Sequence, residues 1–119
     1  MGNNESLGFV ETMGLVAAIE AADAMVKAAR VRVKTVGNAD GGLLSVICEG
    51  DLASCKAAVD AGKTAAERVG EFVRSNVIPR PDGDTEHLVT EHIEGITEAK
   101  VAPPKRQAGR KDGEGKEKK

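Results

Sequence analysis

The apolar residues of this chain change period along its length, and that alternation constrains its fold more than any other feature. Leu7 to Thr12 is a short run of apolar and β-favouring residues, a strand that Gly14 breaks. From Leu15 the period lengthens: Leu15, Ile19, Ala22 and Val26 recur every three or four residues, with Glu20, Asp23 and Lys27 opposite them. That spacing predicts a helix ending near Ala29, with the stripe as its apolar face. Asp23 and Lys27 stand i,i+4 in the favourable order. Val31 and Val33 then alternate with Arg32 and Lys34, the pattern of a half-buried strand running to Val36.

The second half repeats the scheme. Asn38-Ala39-Asp40-Gly41-Gly42 reads as a turn, its two glycines free to take positive φ. Leu43 to Cys48 is the return strand of an antiparallel hairpin. Asp51 suits the N-cap of a second helix, along which Leu52, Cys55, Val59, Gly62, Ala66 and Val69 repeat at helical spacing. Lys56, Asp60, Lys63 and Glu67 form its wet face, and Gly70 is a natural residue just past its end. Phe72 to Ile78 is a last strand, stopped by Pro79-Arg80-Pro81, and Thr85 to His92 holds a short helix.

The order strand–helix–strand–strand–helix–strand is the α+β split pattern of ferredoxin-like folds: an antiparallel sheet with both helices on one face, plus a short C-terminal helix. Both helices are rich in Ala, which permits close approach of helix to sheet. The domain is expected over residues 6–92, between a flexible N-terminus (1–5) and a basic, disordered tail (93–119). The tail is visible as charge. Residues 100–119 carry eight Lys and Arg against three Asp and Glu, a net of +5, which leaves nine basic and sixteen acidic residues in 1–99, a net of -7.

Composition says how such a domain is held. Of 119 residues 40% are hydrophobic, but two Phe are the only members of the Phe, Tyr and Trp set, so the core is thin. A small domain with a thin core gains from a partner that removes further apolar surface from water.

Chemistry is scarce. No apolar run approaches the roughly 20 residues of a membrane span, and the polar, acidic start does not read as a signal peptide. Met1-Gly2 with Ser6 fits only a loose myristoylation pattern, with nothing polybasic after it. Cys48 and Cys55 are too few for a disulfide framework and fit a reducing cytoplasm, Cys55 as a small buried thiol on the apolar helix stripe. His87 and His92 are five apart, a spacing that does not place them on one α-helical face as i,i+4 ligands would be, so they read as solvated and no metal site is expected. No Cys/His or Ser/His/Asp set, no Walker loop and no Gly-x-Gly-x-x-Gly is present, so no cofactor is implied. Asp40-Gly41-Gly42 could cradle a phosphate, but it joins two strands rather than opening a helix, and a plain hairpin turn is the simpler reading. The basic tail could meet phosphates or tether another protein. It lacks aromatics for stacking on bases, so a solvated tail without nucleic acid is expected.

Several blocks together resemble a known family. Leu7-Gly8-Phe9-Val10-Glu11-Thr12, Gly14-Leu15, and Ala18-Ile19-Glu20-Ala21-Ala22-Asp23-Ala24-Met25-Val26-Lys27-Ala28-Ala29 are similar to the opening of single-domain hexameric shell proteins of bacterial microcompartments. Gly50-Asp51, Lys56-Ala57-Ala58-Val59-Asp60-Ala61-Gly62 and Val77-Ile78-Pro79-Arg80-Pro81 continue the likeness, which covers about residues 6–92 and is nearest to propanediol- and ethanolamine-type compartments. The resemblance implies a structural protein, not an enzyme. It implies a homo-hexamer that packs with neighbouring hexamers and other shell proteins into a shell in the bacterial cytoplasm, around enzymes that are further partners, with a central pore for small metabolites. Lys27 and Arg80 match the family's hexamer–hexamer edge residues, and Ala39, Asp40, Gly41 and Gly42 match its pore turn. Relatives often read Gly-Ser-Gly there. This chain has lost the serine hydroxyl at Gly41 and brings a carboxylate with Asp40, which opposes anions. A competing class on the same scaffold is a small oligomeric ligand-binding regulatory domain, which would use clefts between subunits.

Overall fold

A computed structural model of the chain describes residues 5–93 and Gly95; residues 1–4, Glu94 and 96–119, with the expectations attached to them, lie outside it, whereas the first residues assigned to the tail, Ile93 and Gly95, are packed against the sheet. The described elements are β1 (Ser6–Met13), α1 (Leu15–Ala28), β2 (Arg32–Asn38), β3 (Leu43–Gly50), α2 (Leu52–Val69), β4 (Glu71–Ile78), α3 (Gly83–His87) and a one-turn π-helix, α4 (Leu88–His92). The four strands form one antiparallel sheet in the order β2-β3-β1-β4, the ferredoxin-like arrangement.

Strand alternation sorts the core onto two faces. Val10, Val46 and Cys48 point to one face, where α1 and α2 lie side by side and contribute Ala17, Ala18, Ala21, Met25, Cys55, Ala58, Val59 and Ala66. Leu7 and Ile47 point to the other, where Val89 of α4 covers them beside Phe9, Ile78 and Ile93. The C-terminal turn is therefore the lid of the second face. The chain beyond it returns to the sheet edge, where Gly95 bridges antiparallel to Gly37 of β2.

Local signals hold in α2. Asp51 caps it, its Oδ1 accepting from the Ser54 N–H at 2.8 Å. The predicted stripe is buried at Cys55, Val59, Gly62 and Ala66, while Leu52 and Val69 at its ends are exposed. Gly70 ends the helix with extended backbone rather than a left-handed turn, and an added Cβ there would stand 3.0 Å from Ala17 Cβ. Close approach of α1, not φ, is its physical reason.

The reading of α1 is corrected. The helix is where the period put it, but its buried residues are Ala17, Ala18, Ala21 and Met25. Of the predicted apolar stripe only Ala22 packs against the core; Leu15, Ile19 and Val26 face outward instead, 52%, 53% and 45% exposed, and Val16 joins them at 71%. The cause is steric. At Gly62 of α2 an added Cβ would come within 2.7 Å of Met25 Cγ, so the two helices meet closely, with Met25 seated over Gly62 and alanines filling the rest of the buried face of α1. The larger aliphatics are left on the outside.

Candidate functional site

The β2–β3 turn is a fully exposed projection built from unusual backbone. Asp40, Gly41 and Gly42 have φ of 75°, 66° and 87°, so three successive residues are left-handed. Glycine takes this without cost, and Asp tolerates it better than most residues. Asn38 Oδ1 accepts from the Asp40 N–H at 3.1 Å, and Ala39 N–H donates to Leu43 O at 2.9 Å. The turn is also tied to the start of α1, because Gly14 N–H donates to Gly42 O at 2.7 Å. The side chains of Ala39 and Asp40 stand exposed at a fixed loop tip, with glycine backbone beside them.

Lys27 lies on the exposed side of the last turn of α1, 2.8 Å from Asp23. That hydrogen bond and charge hold its ammonium pKa above the ordinary 10.5. A solvent-exposed i,i+4 pair is weakly held, so the side chain is free to exchange Asp23 for another acceptor. Arg80 stands exposed between two prolines. Pro81 behind it is buried, and Ser6 Oγ donates to Pro79 O at 2.6 Å. A short rigid loop anchored to β1 thus presents the guanidinium to solvent.

Sequence reasoning missed two clusters. On the outer sheet face Glu49, whose side chain is nearly buried, receives Arg32 and, at 3.3 Å, Lys34; Glu5 stands 3.2 Å from Arg32 on the rim of a depression of about 320 Å³. The alternation of Arg32 and Lys34 was the available signal, but their partner came from another strand. The second cluster is His87 with His92, exposed as expected but not held apart. The two are brought face to side, ring centroids 5.1 Å apart, because α4 winds as a π-helix. Residues five apart share a face in that winding, which an α-helical period does not anticipate.

The thiols of Cys48 and Cys55 are both free, buried and close together beneath Gly8. Burial pushes the Cys48 thiol up to about 12. Burial also raises Cys55, which donates to the Ser6 carbonyl at 3.4 Å. Protonated and water-excluded, neither suits nucleophilic chemistry. Among the described residues no group of three or more His, Cys, Asp or Glu is placed to hold a metal, and no helix is long and apolar enough to cross a membrane.

Comparison with known proteins bears on these surfaces. The model of the BMC domain family matches residues 6–81. The chain is 55% identical over 91 residues to the bacterial microcompartment shell protein EutM of Escherichia coli, covering 76% of this chain and 94% of that one. It is 52% identical over 89 residues to the bacterial microcompartment shell protein PduA of Salmonella typhimurium, covering 75% of this chain and 95% of the relative. A crystal structure of a microcompartment protein from Desulfitobacterium hafniense superposes with a TM-score of 0.66 at 32% identity, over 74% of this chain and 48% of that one.

Proposed function

The chain belongs to the BMC-domain family of microcompartment shell proteins, and on that premise we propose that it is a shell tile: a structural protein, not an enzyme, whose copies close into a six-membered ring. Rings pack edge to edge, with one another and with other shell proteins, into the facets of a compartment in the bacterial cytoplasm. A central pore passes small metabolites. The observation that carries this reading is the outward stripe of α1. Leu15, Val16, Ile19 and Val26 are about half exposed or more in the single chain. An apolar helix face of that kind marks a surface covered by another protein, and a second copy is the partner that a thin-cored tile supplies.

The edge and pore assignments follow from the same premise. Lys27 lays its aliphatic stem along a neighbour and offers its ammonium to a carbonyl. Arg80, presented by a loop of two prolines, offers a planar fork of donors to the adjacent ring. Ala39, Asp40, Gly41 and Gly42 line the pore. Six copies of Asp40 around one axis repel anions and favour cations or neutral solutes.

Electron microscopy of concentrated protein tests the proposal. Hexagonal sheets or tubes are expected, with rings of six-copy mass in dilute solution. Lys27→Ala and Arg80→Ala should keep the ring and weaken the sheet. Replacing Ile19 by Asp should prevent ring closure. Discrete dimers or trimers in every condition would overturn the reading. Unchanged charge selectivity in Asp40→Ser would remove Asp40 from the pore.

A further inference from the structure

We propose that His87 and His92 form a two-imidazole site for a borderline divalent transition metal of the zinc, nickel or copper class, completed by water. The chain has only these two histidines, and the fold puts them together. Both are exposed, so an ion reaches them without opening the core. The π-turn Leu88–His92 sets their spacing, and such turns are rare and concentrate at functional sites.

The separation of the two rings suits one ion. Zinc holds imidazole nitrogens at about 2.0–2.1 Å in tetrahedral array, which puts the centroids of two imidazoles on one ion roughly 5 Å apart. The observed centroids are 5.1 Å apart, with planes at 74°. The local field favours a cation. Residues 82–93 hold Asp82, Asp84, Glu86 and Glu91 and neither Lys nor Arg. Those carboxylates form no cluster of three ligands with the histidines among the described residues, so they supply charge rather than coordination. Val89, on the same turn, is buried against Leu7 and Ile47, which anchors the backbone that carries both rings. Imidazole selects nickel, copper and zinc over magnesium, which prefers oxygen.

The test uses the full, untagged chain titrated with Zn2+, Ni2+, Cu2+ and Mg2+ by calorimetry. One site per chain is expected, with copper tightest and magnesium silent. The electron paramagnetic resonance spectrum of the copper complex should show two bound nitrogens of imidazole type. His87→Ala and His92→Ala should each weaken binding by at least about tenfold, the lower end of what losing even an outer-shell partner costs. Both positions are exposed, so circular dichroism should show an unaltered fold. The proposal is overturned if either single variant keeps wild-type affinity, since one ion would then not be shared. It is equally overturned if the spectrum shows a single imidazole, or if magnesium competes on equal terms.

Discussion

The contact of α1 with α2 turns on Met25 packing over Gly62, and its energy can be worked from the geometry. An added Cβ at Gly62 would stand 2.7 Å from Met25 Cγ, 2.9 Å from Met25 Sδ and 3.2 Å from Val10 Cγ2. Met25 and Val10 are fully buried, so neither can swing into solvent. Replacing a mid-helix glycine by alanine favours the helix by about 1 kcal/mol. Overpacking a filled core costs about 1–3 kcal/mol. Gly62→Ala alone should therefore lose about 1 kcal/mol net. Met25→Ala empties a buried site and should cost about 2–5 kcal/mol. In the double variant the new methyl enters the space that Met25 leaves. The clash vanishes and the helix gain returns, so the double variant should exceed the sum of the singles by about 1–3 kcal/mol of stability. Urea unfolding at one fixed protein concentration measures this, because association would otherwise shift the midpoint. Additivity within about 0.5 kcal/mol would refute the packing of Met25 over Gly62.

Three further outcomes are expected. Cys48 stays protonated in the fold up to about pH 12, against an ordinary 9.0. The unfolded chain then binds fewer protons above about pH 9, so stability should fall between about pH 9 and 12. Cys48→Ala should flatten that fall, and thiol reagents should label Cys48 and Cys55 in urea but not in the native protein. Ser6→Ala removes the donor to the Pro79 carbonyl and should cost about 1 kcal/mol. Hydrogen exchange should then rise at Arg80 and Asp82, and sheet formation should weaken with it. Asp51 keeps its carboxyl below the ordinary 3.8 by accepting from the Ser54 N–H and hydroxyl. Its contribution is present above about pH 4 and lost as pH falls through the depressed value. Asp51→Ala should lower the urea midpoint at neutral pH and leave it little changed at the acid end.

The element order was legible in the residues because each element is locally self-consistent. Two-residue alternation in β2 and the three-and-four spacing of α1 and α2 are properties of single segments. So are the carboxylate of Asp51 at an N-cap and the glycines of the 38–42 turn. None of them needs a distant partner. The edge and pore roles proposed for Lys27, Arg80 and the 39–42 turn rest instead on residue blocks similar to a family, and neither Arg80 nor Lys27 carries a local mark of such a role.

Only the tertiary structure decided which face of α1 is buried. Hydrophobicity ranks Leu15, Ile19 and Val26 above alanine, so the segment alone nominates them for the core. The contact that matters is too close for them, because Gly62 lets α2 approach to the width of a methionine. Alanines, with Met25 seated over Gly62, take the inside, and Leu15, Ile19 and Val26 face out. The same is true of His87 and His92. Their spacing has no meaning under an α-helical period, and only the π-winding, with Val89 held against Leu7 and Ile47, brings the rings together. A segment's own pattern determines what it can become. Which of its faces meets a neighbour depends on the shape of that neighbour, which is written elsewhere in the chain.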